Sequence, residues 1–144
     1  MILYAESSAV VAWLFHESMA AMVRQLLADS ETVVTSDLTL IECERVLIRA
    51  SSRAEMTGRN AARRRSVLNA AAAHWVLLRI DQAVVEGSRR AFPREPIRSL
   101  DAIHLSSALI ARSANPEIAL LSLDHRIRAN GQALGFPVFP AIER

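Results

Sequence analysis

The chain has 144 residues, of which 51% are hydrophobic, and 17 basic against 15 acidic residues give a formal net charge of +2. This length and apolar content predict one domain, residues 1–144, with a buried core, and they exclude a disordered chain. Every basic residue is Arg, and so small a net charge neither requires nor excludes a nucleic-acid partner.

Short apolar runs alternate with helical patterns along the whole chain. Runs of strand length lie at 2–5, 31–36, 75–80, 117–123 and 135–140. Segments with helical periodicity lie at 7–17, 18–30, 36–51, 57–74, 81–92, 100–114 and 124–134. Predicted helix N-caps include Ser7 or Ser8, Ser36 or Asp37, and Ser99. The alternation predicts an α/β fold with a mostly parallel sheet of about five short strands, flanked by helices on both faces.

Cysteine content and apolar run length indicate the compartment. Cys43 is the single cysteine, so no intrachain disulfide forms, and a reducing environment fits best. We expect Cys43 to be a small core or near-surface residue. The first residues lack the basic region of a secretory signal, and no run is long enough to span a membrane. The sequence therefore predicts a cytoplasmic protein without a membrane partner.

Four acidic residues stand where the pattern predicts buried or strand-end positions. Glu6 directly follows the first strand, and Asp124 directly follows the fourth. Ligands of parallel α/β sheets bind outside the carboxyl ends of the strands, so both residues belong to one functional edge. Glu42 interrupts an apolar helical stripe, and Asp101 lies in the first turn of the helix at 100–114.

Each of these acids also has a purely structural interpretation. Asp101 would complement a helix N-terminus, Asp124 would be an N-cap, and Glu6 would be a loop residue at a helix start. Glu42 would pair with Arg45 or Arg49. The sequence alone does not show that the four acids converge.

Convergence of these acids would require a cation. Two unpaired carboxylates about 4 Å apart repel by about 4 kcal/mol at an effective dielectric constant near 20. Mg²⁺ and Mn²⁺ prefer such oxygen ligands, and a metal held by carboxylates and water commonly hydrolyses phosphodiesters.

Four segments carry a resemblance to a known family. They are "MILYAESSAVVAWLFHE", "TSDLTLIECERVL", "LDAIHLSSALIA" and "ALLSLDHRIRANGQALGFPV". In order and spacing the chain resembles PIN-domain proteins, specifically the ribonuclease toxins of VapBC toxin–antitoxin pairs. The resemblance spans nearly the whole chain and is most specific at "LDAIHLSSA" and "LLSLDHRIRANGQALGF".

The resemblance implies a metal-dependent endoribonuclease toxin of a type II toxin–antitoxin system. Its catalytic acids would be Glu6, Glu42, Asp101 and Asp124. Mg²⁺, or Mn²⁺ in its place, would be held by three of these acids, with Glu42 binding directly or through water. RNA would be the substrate, and the products would carry a 5′-phosphate and a 3′-hydroxyl. Ser8 and Ser122 match hydroxyl positions that support the family site.

Glu6 departs from the family pattern, which usually has Asp at this position. Glu keeps the charge but reaches about one methylene further, and a misplacement near 1 Å can cost on the order of a hundredfold in rate. We expect metal binding to survive and activity to be reduced. The alternative is a catalytically weakened PIN domain that binds RNA or protein. A DNA nuclease of the same fold ranks last, since the chain is short.

Arginines provide the candidate contacts to substrate. A basic run at Arg63 and Arg64 is either a solvated helix face or a surface that tracks phosphates. Arg126 and Arg128 follow Asp124 closely and are candidates for contact with a substrate phosphate, the alternative being a surface ion pair.

Further expectations concern one histidine and the protein partners. His104 lies one helical turn after Asp101, so we expect it to hydrogen-bond that acid or to approach the edge of the site, as a packing or supporting residue more than as a catalytic one. The resemblance also implies a homodimer and a cognate antitoxin. The antitoxin's C-terminal segment would lie in a groove formed by the first, second and third helices.

Overall fold

The computed structural model describes residues 1–142, within which it has five strands and seven helices. Residues 143 and 144 of the predicted domain lie outside the described part. The strands are β1 (Ile2–Ala5), β2 (Thr32–Ser36), β3 (Val76–Leu78), β4 (Ala119–Leu121) and β5 (Val138–Phe139). The helices are α1 (Ser7–Leu14), α2 (Ala20–Asp29), α3 (Asp37–Ser52), α4 (Gly58–Ala72), α5 (Gln82–Ser88), α6 (Ser99–Ala114) and α7 (His125–Ala133).

The sheet is fully parallel, in the order β3-β2-β1-β4-β5. This confirms the predicted α/β fold with about five strands. The first strand is therefore the central one, with β2 and β4 on either side. Ala5 is in register with Leu121, and Glu6 N donates to Leu121 O at 2.9 Å. The residues that follow β1 and β4 thus leave the sheet side by side at its carboxyl edge.

Alternate side chains of the central strand pack into two separate cores, one on each face of the sheet. Leu3 and Ala5 belong to a cluster on one face, and Tyr4 belongs to a cluster on the other face. All three side chains are fully buried. Because a strand's side chains alternate between faces, two cores confirm that helices cover both sides of the sheet.

Two helix N-caps differ from the prediction. Helix α1 is capped by Glu6, whose side chain accepts a hydrogen bond from Ser8 N at 3.1 Å, and not by Ser7 or Ser8. Helix α6 begins at Ser99, which had been predicted as its cap. Each helix starts about one residue early, and an acidic side chain stabilises each start. Glu6 accepts from Ser8 N in the first turn of α1, and Asp101 accepts from the amide of Arg98, the N-cap of α6.

Within residues 1–142, no helix combines the length and apolar character needed to cross a membrane.

Replacing Gly87 with Ala should disturb the packing of α5 on α6, the helix that carries Asp101. A Cβ atom on Gly87 would lie 2.3 Å from Ser106 Oγ, which a 2.9 Å hydrogen bond to Val84 O holds in place. Such overpacking costs about 1–3 kcal/mol. We expect the free energy of unfolding, measured by urea denaturation, to fall by that amount.

Gly58→Ala is the matched control, since no atom lies within 4 Å of a Cβ atom at Gly58. It should leave stability unchanged or raise it slightly. Adding Ser106→Ala to Gly87→Ala should restore part of the loss. Equal stability changes in the two glycine variants would contradict the steric explanation.

Candidate active site

The Glu6 carboxylate is buried at the end of the central strand, with only 4% of the residue exposed. Its Oε1 accepts hydrogen bonds from Ser7 Oγ at 2.8 Å and Ser8 N at 3.1 Å. Its Oε2 accepts from Ser122 Oγ at 2.7 Å and from Ser8 Oγ. A buried charge is tolerated only when donors satisfy it, and both carboxylate oxygens are satisfied here.

Two of these serines connect Glu6 to the start of α7. Ser8 Oγ accepts hydrogen bonds from Leu123 N at 2.9 Å and from Asp124 N at 3.1 Å. Ser122 Oγ also accepts from Asp124 N, at 3.1 Å. Glu6 and Asp124 therefore lie at the same edge of the sheet, joined through two hydroxyls, as expected for residues that directly follow two strands of a parallel sheet.

Glu42 projects from α3 toward the same group of side chains. Its Oε1 accepts a hydrogen bond from His104 Nε2 at 2.6 Å and lies 3.1 Å from Ser7 Oγ, whose single hydroxyl hydrogen also faces Glu6 Oε1. The side chain is 25% exposed. Ser7 thus lies between the carboxylates of Glu6 and Glu42. Among residues 1–142, Glu42 hydrogen-bonds to His104 and pairs with neither of the neighbouring arginines of α3.

Asp101 and Asp124 each stabilise the start of a helix. Asp101 Oδ2 accepts from Arg98 N at 3.1 Å, before α6. Asp124 is the N-cap of α7, and its Oδ1 accepts from Arg126 N at 2.9 Å and Ile127 N at 3.1 Å. Both acids are partly exposed. Their structural interpretations are therefore correct, yet each uses only one carboxylate oxygen.

The hydrogen bonding divides the four acids into two kinds. Glu6 uses both oxygens. Within the described residues, the second oxygens of the other three accept no hydrogen bond, namely Glu42 Oε2, Asp101 Oδ1 and Asp124 Oδ2. Three partly exposed carboxylates, each with an available oxygen, fit a hard divalent cation in chemistry.

The side chains are not, however, gathered around one point. No group of three or more His, Cys, Asp or Glu side chains in residues 1–142 is arranged to hold a metal ion. Collecting carboxylate oxygens around a cation therefore requires side chains to leave the conformations described above. Glu6 would have to give up its hydrogen bonds to the serines in order to take part.

Of the four candidate arginines, two donate hydrogen bonds to backbone carbonyls and two are exposed. Arg128 donates to Ser122 O and to Pro140 O, both at 2.8 Å, and burial lowers the pKa of its guanidinium. Arg64 donates to Leu14 O at 2.7 Å and stacks over the ring of Phe15. Both guanidinium groups thus stabilise the fold. Arg126 and Arg63 are exposed and remain candidates for contact with phosphate.

His104 hydrogen-bonds to Glu42 and not to Asp101, so of the two expected placements it takes the one at the edge of the site. Its ring points into the fold, where it is 1% exposed. Its Nδ1 lies 3.1 Å from Tyr4 Oη. Sequence reasoning did not identify Tyr4 or Ser7 as part of the site. The available signal was their position, one on the buried central strand and one directly after Glu6.

Cys43 is fully buried in a core cluster beside the site, as expected. Burial raises the pKa of its thiol to about 12. A thiol that stays protonated is a poor nucleophile, so Cys43 contributes packing and no covalent chemistry.

Comparison with known proteins agrees with this architecture. The model of the PIN domain family matches residues 3–132. Ribonuclease VapC35 of Mycobacterium tuberculosis is 32% identical over 143 residues, which cover 95% of each chain.

Solved structures share the fold at lower identity. M. tuberculosis VapC20, described as a sarcin-ricin loop cleaving toxin, superposes with a TM-score of 0.64 at 16% identity, covering 93% of this chain and 95% of its own. A toxin–antitoxin complex from Klebsiella pneumoniae gives a TM-score of 0.62 at 19% identity, with all of both chains covered. On the family match and the identity to VapC35, this chain belongs to the PIN domain family, among its VapC-type ribonucleases.

Proposed function

We propose that this protein is a cytoplasmic endoribonuclease toxin of a type II toxin–antitoxin system, which hydrolyses RNA phosphodiester bonds with Mg²⁺. The observation that carries the proposal is the carboxyl edge of the sheet, where three partly exposed acids each keep one carboxylate oxygen without a hydrogen bond in the described residues. The ribonuclease activity in the name of VapC35 supports the same reaction class.

The metal would be held by Asp101 and Asp124, with Glu42 binding directly or through water. Glu6 would join them by exchanging the hydrogen bonds of its Oε2 to Ser8 and Ser122 for the ion. A bound Mg²⁺, or Mn²⁺ in its place, would supply an activated water and stabilise the negative charge that develops on the phosphoryl oxygens.

The protein's own residues position this chemistry. Ser8 and Ser122 hold the backbone at Asp124, because both hydroxyls accept from its amide. Arg126 is exposed, two residues after Asp124, where a guanidinium would bind an RNA phosphate. Arg63 is exposed on α4 and would extend that contact along the RNA backbone.

The partner would be a cognate antitoxin. An open cleft of about 350 Å³ lies between α3 and α4, with an apolar floor and charged rim formed by Leu40, Ile41, Glu44, Arg45, Arg65, Leu68 and Asn69. Ile41 is 53% exposed there. An amphipathic C-terminal segment of the antitoxin would cover this surface, in place of the groove of the first, second and third helices that the resemblance implies. An arginine on that segment would complement the acids of the site. The similarity in fold to the toxin–antitoxin complex from Klebsiella pneumoniae supports such a partner.

We also propose that the protein forms a homodimer.

The second candidate function is a PIN domain that binds RNA or protein without cleaving it. Glu6 favours this alternative because both of its carboxylate oxygens are engaged by the protein. If Glu6 does not leave the serines, the edge has one metal ligand fewer.

Removing the metal ion, or a carboxylate proposed to bind it, should abolish RNA cleavage. We expect the purified, antitoxin-free protein to cleave RNA in Mg²⁺ or Mn²⁺ and to stop when a chelator is added. Asp101→Asn and Asp124→Asn should each lower the rate by at least about a hundredfold, since the amide weakens metal binding. A gel-based assay of end-labelled RNA measures all of these rates.

Glu117→Gln is the matched control for these acid-to-amide changes. Glu117 is exposed and precedes β4, whereas Asp124 follows it, so the two acids lie at opposite ends of the strand. The control should keep its full rate. Cleavage that survives in chelator, or in Asp101→Asn, would refute the metal mechanism.

Shortening Glu6 to Asp should raise activity and lower stability together. The shorter side chain loses reach to Ser122 Oγ, so its carboxylate is freer to bind metal. We expect Glu6→Asp to increase the cleavage rate by about 10–100-fold. Loss of a charge-assisted hydrogen bond should reduce the free energy of unfolding by about 1–3 kcal/mol.

Glu6→Gln separates charge from reach in the same assays. It preserves side-chain length and should leave the protein folded but without the gain in rate. If the wild-type protein does not cleave RNA but the Glu6→Asp variant does, the result would favour the binding-module alternative. A Glu6→Asp rate equal to or below that of the wild type would contradict the proposed effect of side-chain length.

A further inference from the structure

A buried histidine lies directly beneath the acidic edge. His104 is on the second turn of α6 and only 1% exposed, and side chains of β1, α1 and α3 surround its ring. Tyr4 Oη lies 3.1 Å from Nδ1, and Glu42 Oε1 lies 2.6 Å from Nε2. Each ring nitrogen therefore has its own partner, and the two partners come from different elements of the fold.

The chemistry of these partners decides where the ring proton lies. The carboxylate oxygen of Glu42 only accepts hydrogen bonds, so Nε2 must carry a hydrogen and donate it. Nδ1 then accepts from the hydroxyl of Tyr4. Burial raises the pKa of the Tyr4 phenol, so this hydroxyl keeps its proton. These partners select the Nε2–H tautomer of the neutral ring.

This arrangement fixes one end of the Glu42 carboxylate. Oε1 accepts from His104 and lies 3.1 Å from Ser7 Oγ, while Oε2 accepts no hydrogen bond within residues 1–142. Glutamate has three flexible side-chain torsions, and a hydrogen bond from a ring that is itself held by Tyr4 restricts them. The side chain is 25% exposed, so its second oxygen is left available at the edge.

Ser7, His104 and Glu42 do not form a catalytic triad with Ser7 as the nucleophile. Ser7 Oγ lies 3.4 Å from the same Nε2 that faces Glu42. A serine–histidine–acid triad needs the serine and the acid on different ring nitrogens, so that a proton can pass between them. Ser7 is also buried, out of reach of an RNA strand.

We propose that His104 is a positioning residue for Glu42, with Tyr4 fixing its tautomer and its Nε2–H orienting the Glu42 carboxylate so that Oε2 faces the acidic edge. The inference rests on the proposed function, because Glu42 is one of the acids proposed there to bind the metal. His104 itself touches neither metal nor RNA.

Two isosteric variants separate this role from simple packing. In His104→Gln the side-chain amide nitrogen reaches approximately the place of Nε2 and keeps a donor for Glu42. In His104→Asn the amide reaches only the place of Nδ1, so the donor to Glu42 is lost. Loss of such an orienting hydrogen bond typically costs about 10–100-fold. We expect His104→Asn to lower kcat by that factor at unchanged KM, and His104→Gln to stay within about threefold of wild type.

Two further measurements do not depend on cleavage. Titration with Mn²⁺ alone should show about tenfold weaker binding in His104→Asn than in His104→Gln. Nitrogen-15 NMR of the wild-type imidazole, without metal, should show the Nε2–H tautomer. Thermal melting checks that both variants are folded.

The outcomes separate this inference from the proposed function. Equal losses of kcat or of Mn²⁺ affinity in the two variants would overturn the positioning role, and so would an Nδ1–H tautomer in the wild type. A wild type that shows no metal-dependent cleavage would instead refute the proposed function. In that case the Mn²⁺ titration and the NMR tautomer still decide the role of His104.

Discussion

A carboxylate buried at the end of the central strand must be surrounded by hydrogen-bond donors, and the site is built around that constraint. Glu6 is 4% exposed, and hydroxyls of Ser7, Ser8 and Ser122 supply the donors. Because these serines belong to α1 and to the end of β4, the same bonds that stabilise the charge also tie two neighbouring strand ends together. The acidic edge is therefore part of the fold and not an addition to its surface.

The other three acids combine structural and chemical roles differently. Asp101 and Asp124 each use one oxygen at a helix start, and Glu42 uses one oxygen on His104 and Ser7. Helix starts and a buried histidine hold these carboxylates in place without consuming both oxygens. Their second oxygens supply the chemistry for which we propose a metal. Glu6 differs from them by its burial and by its fully satisfied hydrogen bonds.

Most of the fold could be predicted from alternating patterns, because period-2 and period-3.6 hydrophobicity identifies strands and helices. The placement of Glu6 and Asp124 at one edge also followed, since all carboxyl ends of a parallel sheet face the same way. The contact of His104 with Glu42 could not be predicted, because it joins residues 62 positions apart through the packing of α6 on the sheet. Helix spacing alone suggested Asp101 as its partner. The hydrogen bonds of Arg64 and Arg128 likewise could not be predicted, because their acceptors are backbone carbonyls that no sequence motif identifies.

The structure also gives a physical meaning to glutamate at position 6. Its extra methylene lets the carboxylate reach the hydroxyl of Ser122 on the adjacent strand, which stabilises the edge while holding the charge away from solvent. The most direct test of the account is anomalous X-ray diffraction from crystals of the wild-type protein soaked in Mn²⁺. The account predicts a manganese peak at the carboxyl edge, bound by oxygens of Asp101 and Asp124. A well-diffracting crystal that shows no manganese there at a concentration saturating in solution would contradict it.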